Sequence, residues 1–130
     1  MNKAIFWDSD GTLIYGNESF AYSLVKACEE VGCHINIDDS RKLMRSIGKY
    51  ISGYTTSASA GYEKPDINIY NQAMRAAGYP DVCYMIGDNP KTDYAGGLAA
   101  GMKPVLVHNE DAGCERSCAK LVDLKNIIIE

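Results

Sequence analysis

Short apolar runs alternate along this chain with stretches whose apolar positions recur three and four residues apart. Ala4-Ile5-Phe6-Trp7, Val82-Cys83-Tyr84-Met85-Ile86 and Pro104-Val105-Leu106-Val107-His108 are strand-sized, and the first predicts a strand over residues 3–8. Phe20, Leu24, Ala27, Cys28 and Val31 fall at helical spacing and predict a helix over 17–31 that Gly32 closes. Asp38-Asp39-Ser40 offers a cap for a second helix reaching Ile47, with Leu43, Met44 and Ile47 on its apolar face. Residues 53–57 read as a short strand. Asp66 caps a helix over 67–77 that Gly78 ends, and residues 91–100 read as a helix stopped by Gly101. The tail from Glu115 to Leu124 reads as helical, before an apolar end at Ile127-Ile128-Ile129. Strands alternating with helices predict an α/β fold, a Rossmann-like parallel sheet flanked by helices. There is no repeat, low-complexity tract or interdomain linker, so residues 1–130 read as a single domain.

The chemistry-bearing residues fall where strands end. The first strand runs into Asp8-Ser9-Asp10-Gly11-Thr12-Leu13, and strand alternation would put the two carboxylates on one side. Ligands of open α/β sheets bind outside the carboxyl ends of strands. Lys64-Pro65-Asp66 precedes a helix, and the second long strand runs into Gly87-Asp88-Asn89-Pro90, with Asp93 close behind. Taken singly, each is an ordinary turn or helix start. Their joint occurrence in this order is the informative observation.

As a set they resemble the haloacid dehalogenase-like hydrolase superfamily. Asp8-x-Asp10-Gly11-Thr12-Leu13 is similar to its first motif, Gly61-Tyr62-Glu63-Lys64-Pro65-Asp66 to its third, and Gly87-Asp88-Asn89-Pro90-Lys91-Thr92-Asp93 to its fourth. Ala95-Gly96-Gly97 through Ala100-Gly101-Met102 continues the pattern, so the resemblance covers residues 3–15 and roughly 53–124. It implies a Mg²⁺-dependent phosphatase that works through an aspartyl-phosphate. Asp8 would be the nucleophile and Asp10 the acid, then the base. Lys64 would neutralise the charge gathered there. Asp8, the Asp10 backbone carbonyl and Asp88 would hold Mg²⁺, with Asp93 orienting or supplementing them. Ser9, Gly11, Thr12 and Asn89 would bind the substrate's phosphoryl group. An acid two residues after the nucleophile suits an alkoxide leaving group, which favours phosphoryl transfer over halide displacement.

The family's second motif, a strand-end Ser or Thr, is poorly represented. Ser40 is the only hydroxyl near the expected spacing, with Thr56 or Ser57 as spatial substitutes. Residues 16–47 resemble the first helices of a mobile cap, while the rest of the cap and the strand bearing the second motif are missing before Lys49. The chain then divides into a core of 1–15 and 48–130 and a helical cap remnant of 16–47. A site without its cap implies an open pocket and a phosphorylated small molecule or phosphorylated macromolecule as partner. A missing strand would expose sheet edges, and self-association is one way to cover them.

Composition narrows the alternatives. With 46% hydrophobic and 23% charged residues, a net charge of −4 and a pI near 5.1, the 130-residue chain does not read as a binder of nucleic acid or anionic membranes. No signal peptide or membrane span is visible, and a cytoplasmic location is the expectation. Cys28, Cys33, Cys83, Cys114 and Cys118 are an odd set and read as reduced thiols. Cys114-x-x-x-Cys118 would share a helix face, but neither His34 nor His108 completes a zinc spacing. Gly96-Gly97-x-x-x-Gly101 reads as helix packing and a helix stop, not a nucleotide loop. The nine tyrosines form no basic-aromatic stripe, and His108 reads as a hydrogen-bonded rim residue. Two other classes remain: an inactive scaffold or binding module of the same fold, and a phosphoacceptor signalling domain. The latter ranks last, because its acceptor would be expected near mid-chain.

Overall fold

A computed structural model describes residues 1–8, 25, 28, 29, 32–39, 52–109 and 113–128. Among the described residues, four strands form one parallel sheet in the order β1 (Lys3–Trp7), β2 (Val82–Gly87), β3 (Lys103–Val107) and β4 (Ser117–Cys118). Around it lie α1 (Ser57–Ala60), α2 (Ile67–Ala76), α3 (Gly96–Ala99) and α4 (Lys125–Ile128). A π-helical segment, Pro90–Ala95, leads into α3, and a 3₁₀ turn, Leu121–Leu124, leads into α4.

Alternation along β2 divides the core between the two faces of the sheet. Cys83 and Met85 pack with Ala60, Ile69, Tyr70 and Met102 on the side of α1 and α2. Tyr84 and Ile86 point the other way, against Val105, Val107, Cys118 and Leu124. Burial on both faces is what a parallel sheet requires, and it explains why the strands read as continuous apolar runs. Ile5 and Trp7 on β1 nevertheless remain exposed, so the first apolar run is not wholly core.

Local chemistry accounts for the boundaries. Asp66 caps α2 by accepting from the Asn68 N–H at 2.9 Å, and Gly78, with φ of 78°, turns the chain after it. Gly101 does the same after α3, with φ of 79°. The strands predicted over 3–8, 82–86 and 104–108 are found at Lys3–Trp7, Val82–Gly87 and Lys103–Val107.

Three predicted elements differ. Residues 53–57 are not a strand: Thr56 and Ser59 form a reciprocal capping box that starts α1 instead. The Glu115–Leu124 helix is absent, because Ser117 and Cys118 pair with Leu106 and Val107 as β4. Cys114 and Cys118 therefore share no helix face. The helix assigned to an Asp38 cap already includes residues 37–39, and Asn36 accepts the Asp39 N–H at 2.8 Å. The remainder of that helix, most of the helix over 17–31, and Ser9, Asp10, Gly11, Thr12 and Ser40 lie outside the described residues.

Candidate active site

Parallel pairing of β1 with β2 brings the two sequence motifs together. Trp7 lies opposite Ile86, and the Asp8 N–H continues the ladder to the Ile86 carbonyl at 2.8 Å. Asp8 and Asp88 therefore leave the carboxyl ends of adjacent strands side by side. Lys64 arrives from the α1–α2 connection, bounded by Gly61 in the left-handed conformation and by the Asp66 cap. Its peptide bond to Pro65 is cis.

The third carboxylate depends on an irregular turn. Residues 91–100 are helical, as their pattern predicts, but the segment opens with π geometry, in which the Tyr94 N–H reaches the Asn89 carbonyl. Asn89 Oδ1 accepts from the Lys91 and Thr92 N–H groups at 2.9 and 3.0 Å. The Asn89 N–H in turn donates to Asp93 Oδ2 at 3.1 Å. Sequence reading placed Asn89 at the substrate; the structure shows its side-chain oxygen capping the turn and its backbone aiming Asp93.

Lys64 Nζ donates to Asp8 Oδ1 at 2.6 Å and also to Asp93 Oδ1. One ammonium thus joins a strand end to the buried turn. Exposure is graded across the cluster, 26% for the Lys64 side chain, 15% for Asp8 and 2% for Asp93. Asp8 is the carboxylate a ligand reaches from solvent more readily; Asp93 acts from behind. Burial opposes the Lys64 charge, but hydrogen bonds to Asp8 and Asp93 outweigh it and raise its pKa. Burial pushes the Asp93 carboxyl up, and Lys64, although it opposes this, does not reverse it.

Asp8, Asp88 and Asp93 offer carboxylate oxygens that all lie within 4.8 Å of one another. Three carboxylates against one ammonium leave a net −2 on these four side chains when all are ionised. Hard, all-oxygen donors with excess negative charge suit a small divalent cation such as Mg²⁺ better than a soft metal.

Two small residues and a tyrosine complete the support, and sequence reading missed the tyrosine. A Cβ on Gly87 would run into the Asp93 carboxyl, so the strand end must be bare for Asp93 to sit there. The buried Tyr70 hydroxyl donates to the Thr92 carbonyl inside the π segment. A Cβ on Gly96 would occupy the space of that hydroxyl, while Gly97 lies against Met85. The paired glycines are packing residues, as their pattern suggested. His108 has a structural bond as well, with Nδ1 3.0 Å from the Ala119 carbonyl oxygen. Thr56, one substitute considered for the second motif, is engaged with Ser59.

Comparison with known proteins agrees with this arrangement. Residues 61–117, which contain Lys64, Asp88 and Asp93, match the Hydrolase-like family, described as HAD-hydrolase-like. Over these residues the chain carries the haloacid dehalogenase-like hydrolase pattern. Among curated superfamily relatives, it is 36% identical over 84 residues to glyceraldehyde 3-phosphate phosphatase of Methanothermobacter thermautotrophicus, covering 63% of this chain and 37% of that protein. In fold it is similar to the magnesium-bound HAD-hydrolase YfnB of Bacillus subtilis, with TM-score 0.58 at 18% identity over 72% of this chain and 44% of that one. The HAD phosphatase of Thermococcus onnurineus gives TM-score 0.57 at 16% identity, over 85% of this chain and 65% of that one. The chain spans little more than a third of the curated phosphatase it matches.

Proposed function

We propose that the chain hydrolyses phosphate monoesters, with Asp8 as nucleophile and Mg²⁺ as the cofactor. The observation that carries this reading is the position of Lys64 Nζ between Asp8 and Asp93 at the carboxyl edge of the sheet, with Asp88 in reach of both carboxylates. Similarity to a curated phosphatase supports the same reaction class.

Asp8, Asp88 and Asp93 are the described residues that would hold Mg²⁺. When bound, the ion supplies charge neutralisation to the phosphoryl oxygens. Lys64 holds one Asp8 oxygen by a hydrogen bond and so orients the carboxylate that attacks phosphorus. Attack forms an Asp8 O–P bond and breaks the bond from phosphorus to the leaving oxygen, which takes a proton from Asp10. Asp10, now ionised, accepts a proton from water. That water attacks phosphorus, breaks the Asp8 O–P bond and releases inorganic phosphate. The Lys64 ammonium offsets negative charge beside Asp8 in both steps.

Hydrolysis of p-nitrophenyl phosphate with and without Mg²⁺, beside Asp8→Asn, tests this reading. We expect Mg²⁺-dependent release of phosphate that falls by at least about 10³-fold in Asp8→Asn, since a covalent route is lost. A parent protein inactive with every divalent ion would favour the scaffold alternative. Activity surviving in Asp8→Asn would remove Asp8 as nucleophile.

A further inference from the structure

Away from the carboxylates, a helix end brings two thiols together. Cys28 and Glu29 are helical, and Gly32 follows in the left-handed conformation with φ of 76°. The Cys33 N–H donates to the Cys28 carbonyl at 2.8 Å, and the Gly32 N–H donates to the Glu29 carbonyl at 3.0 Å. These are the two hydrogen bonds of a Schellman closure, with Cys28 three positions before the cap and Cys33 two after it. That closure sets the side chains of those two positions against each other, commonly as an apolar contact. Here both are cysteines. The Cys28 thiol has the Cys33 thiol as a near neighbour, and both are free thiols, Cys33 exposed and Cys28 half-buried.

We propose that Cys28 and Cys33 are a dithiol site that closes to an intramolecular disulfide by exchange with a low-molecular-weight disulfide. The bond from the Cys33 N–H to the Cys28 carbonyl already holds the two residues beside each other, so closure calls for rotation of side chains, not refolding. Exposed Cys33 reacts first. Its thiolate attacks one sulfur of oxidised glutathione, forming a mixed disulfide and expelling one glutathione thiolate. Cys28 then loses its proton to solvent and attacks Cys33 Sγ, breaking the mixed disulfide and expelling the second glutathione thiolate. Two protein thiols are oxidised by two electrons, and one glutathione disulfide is reduced to two thiols. Burial, followed by the neighbouring Cys33, raises the Cys28 pKa, so Cys28 is not the thiol that reacts first and its attack relies on being held beside Cys33.

The test uses the whole chain, treated with oxidised glutathione, quenched with an alkylating agent and digested with trypsin. Cys28 and Cys33 fall in one tryptic peptide, residues 27–41. We expect that peptide to lose the mass of two hydrogens and to escape alkylation, with both changes reversed by dithiothreitol. Closure should be about tenfold faster in native protein than in urea, because folding supplies the proximity. Cys28→Ser should arrest at the Cys33–glutathione mixed disulfide. A wild-type protein that stops at that mixed disulfide would overturn the proposal, as would equal rates in urea or a disulfide to Cys83, Cys114 or Cys118.

Discussion

Lys64 concentrates the electrostatics of the site in one side chain. Its raised pKa means that the folded state favours the ammonium, so its contribution to stability is complete below the ordinary lysine value of 10.5 and is lost as the pH climbs through the raised value. The Asp93 pKa is also raised, so its contribution likewise falls with rising pH, but from the ordinary carboxyl value of 3.8 upward, and at neutral pH its burial opposes the lysine's contribution. Lys64→Met should therefore destabilise the metal-free protein by about 1–3 kcal/mol at neutral pH, the range for charge-assisted hydrogen bonds. The gap from wild type, measured by urea unfolding, should narrow only in strongly alkaline solution. A gap that closes already near neutrality would mean that the ammonium is not what the carboxylates rely on. Asp8 and Asp88 stood out in the sequence as carboxylates at strand ends of an α/β pattern, where ligands bind, and Lys64 and Asp93 through the motifs that resemble the family. Tyr70 was not, since a tyrosine in an amphipathic helix looks like packing until its hydroxyl is seen at the Thr92 carbonyl.

At the level of elements, the π segment Pro90–Ala95 decides where Asp93 points. It is held from inside by Asn89 and from outside by Tyr70, with Gly96 leaving room for the tyrosine. Asn89→Ala removes a helix cap and should cost about 1 kcal/mol. Gly96→Ala should cost more, about 1–3 kcal/mol, because an added methyl overpacks the Tyr70 hydroxyl. Thermal unfolding of both variants checks the order, and a Gly96→Ala protein as stable as wild type would show that the contact yields easily. No periodicity in residues 91–100 distinguishes π from α geometry, since both expose similar apolar positions over one turn. The misread tail has another cause. Ser117 and Cys118 become β4 through pairing with Leu106 and Val107, a long-range choice that local helical spacing does not encode.

For the molecule as a whole, the four-stranded parallel sheet turns separated motifs into neighbours. Asp8 and Asp88 are eighty residues apart in sequence, yet the pairing of Trp7 with Ile86 makes their adjacency a matter of register. A one-residue slip would move every inward side chain of β1 to the other face, so the packing of Phe6 and Met85 and the position of Asp8 are fixed together. Fold class was readable from the alternation of runs because a doubly covered sheet leaves that signature.

The proposed hydrolysis turns on transfer of the phosphoryl group to Asp8. Acid quenching during turnover of p-nitrophenyl phosphate with Mg²⁺, followed by borohydride reduction and peptide mass spectrometry, tests it most directly. Reduction of an acyl phosphate leaves homoserine at the reacting position. We expect homoserine at position 8. Its absence there during active turnover, or its appearance at position 88 or 93, would contradict transfer to Asp8.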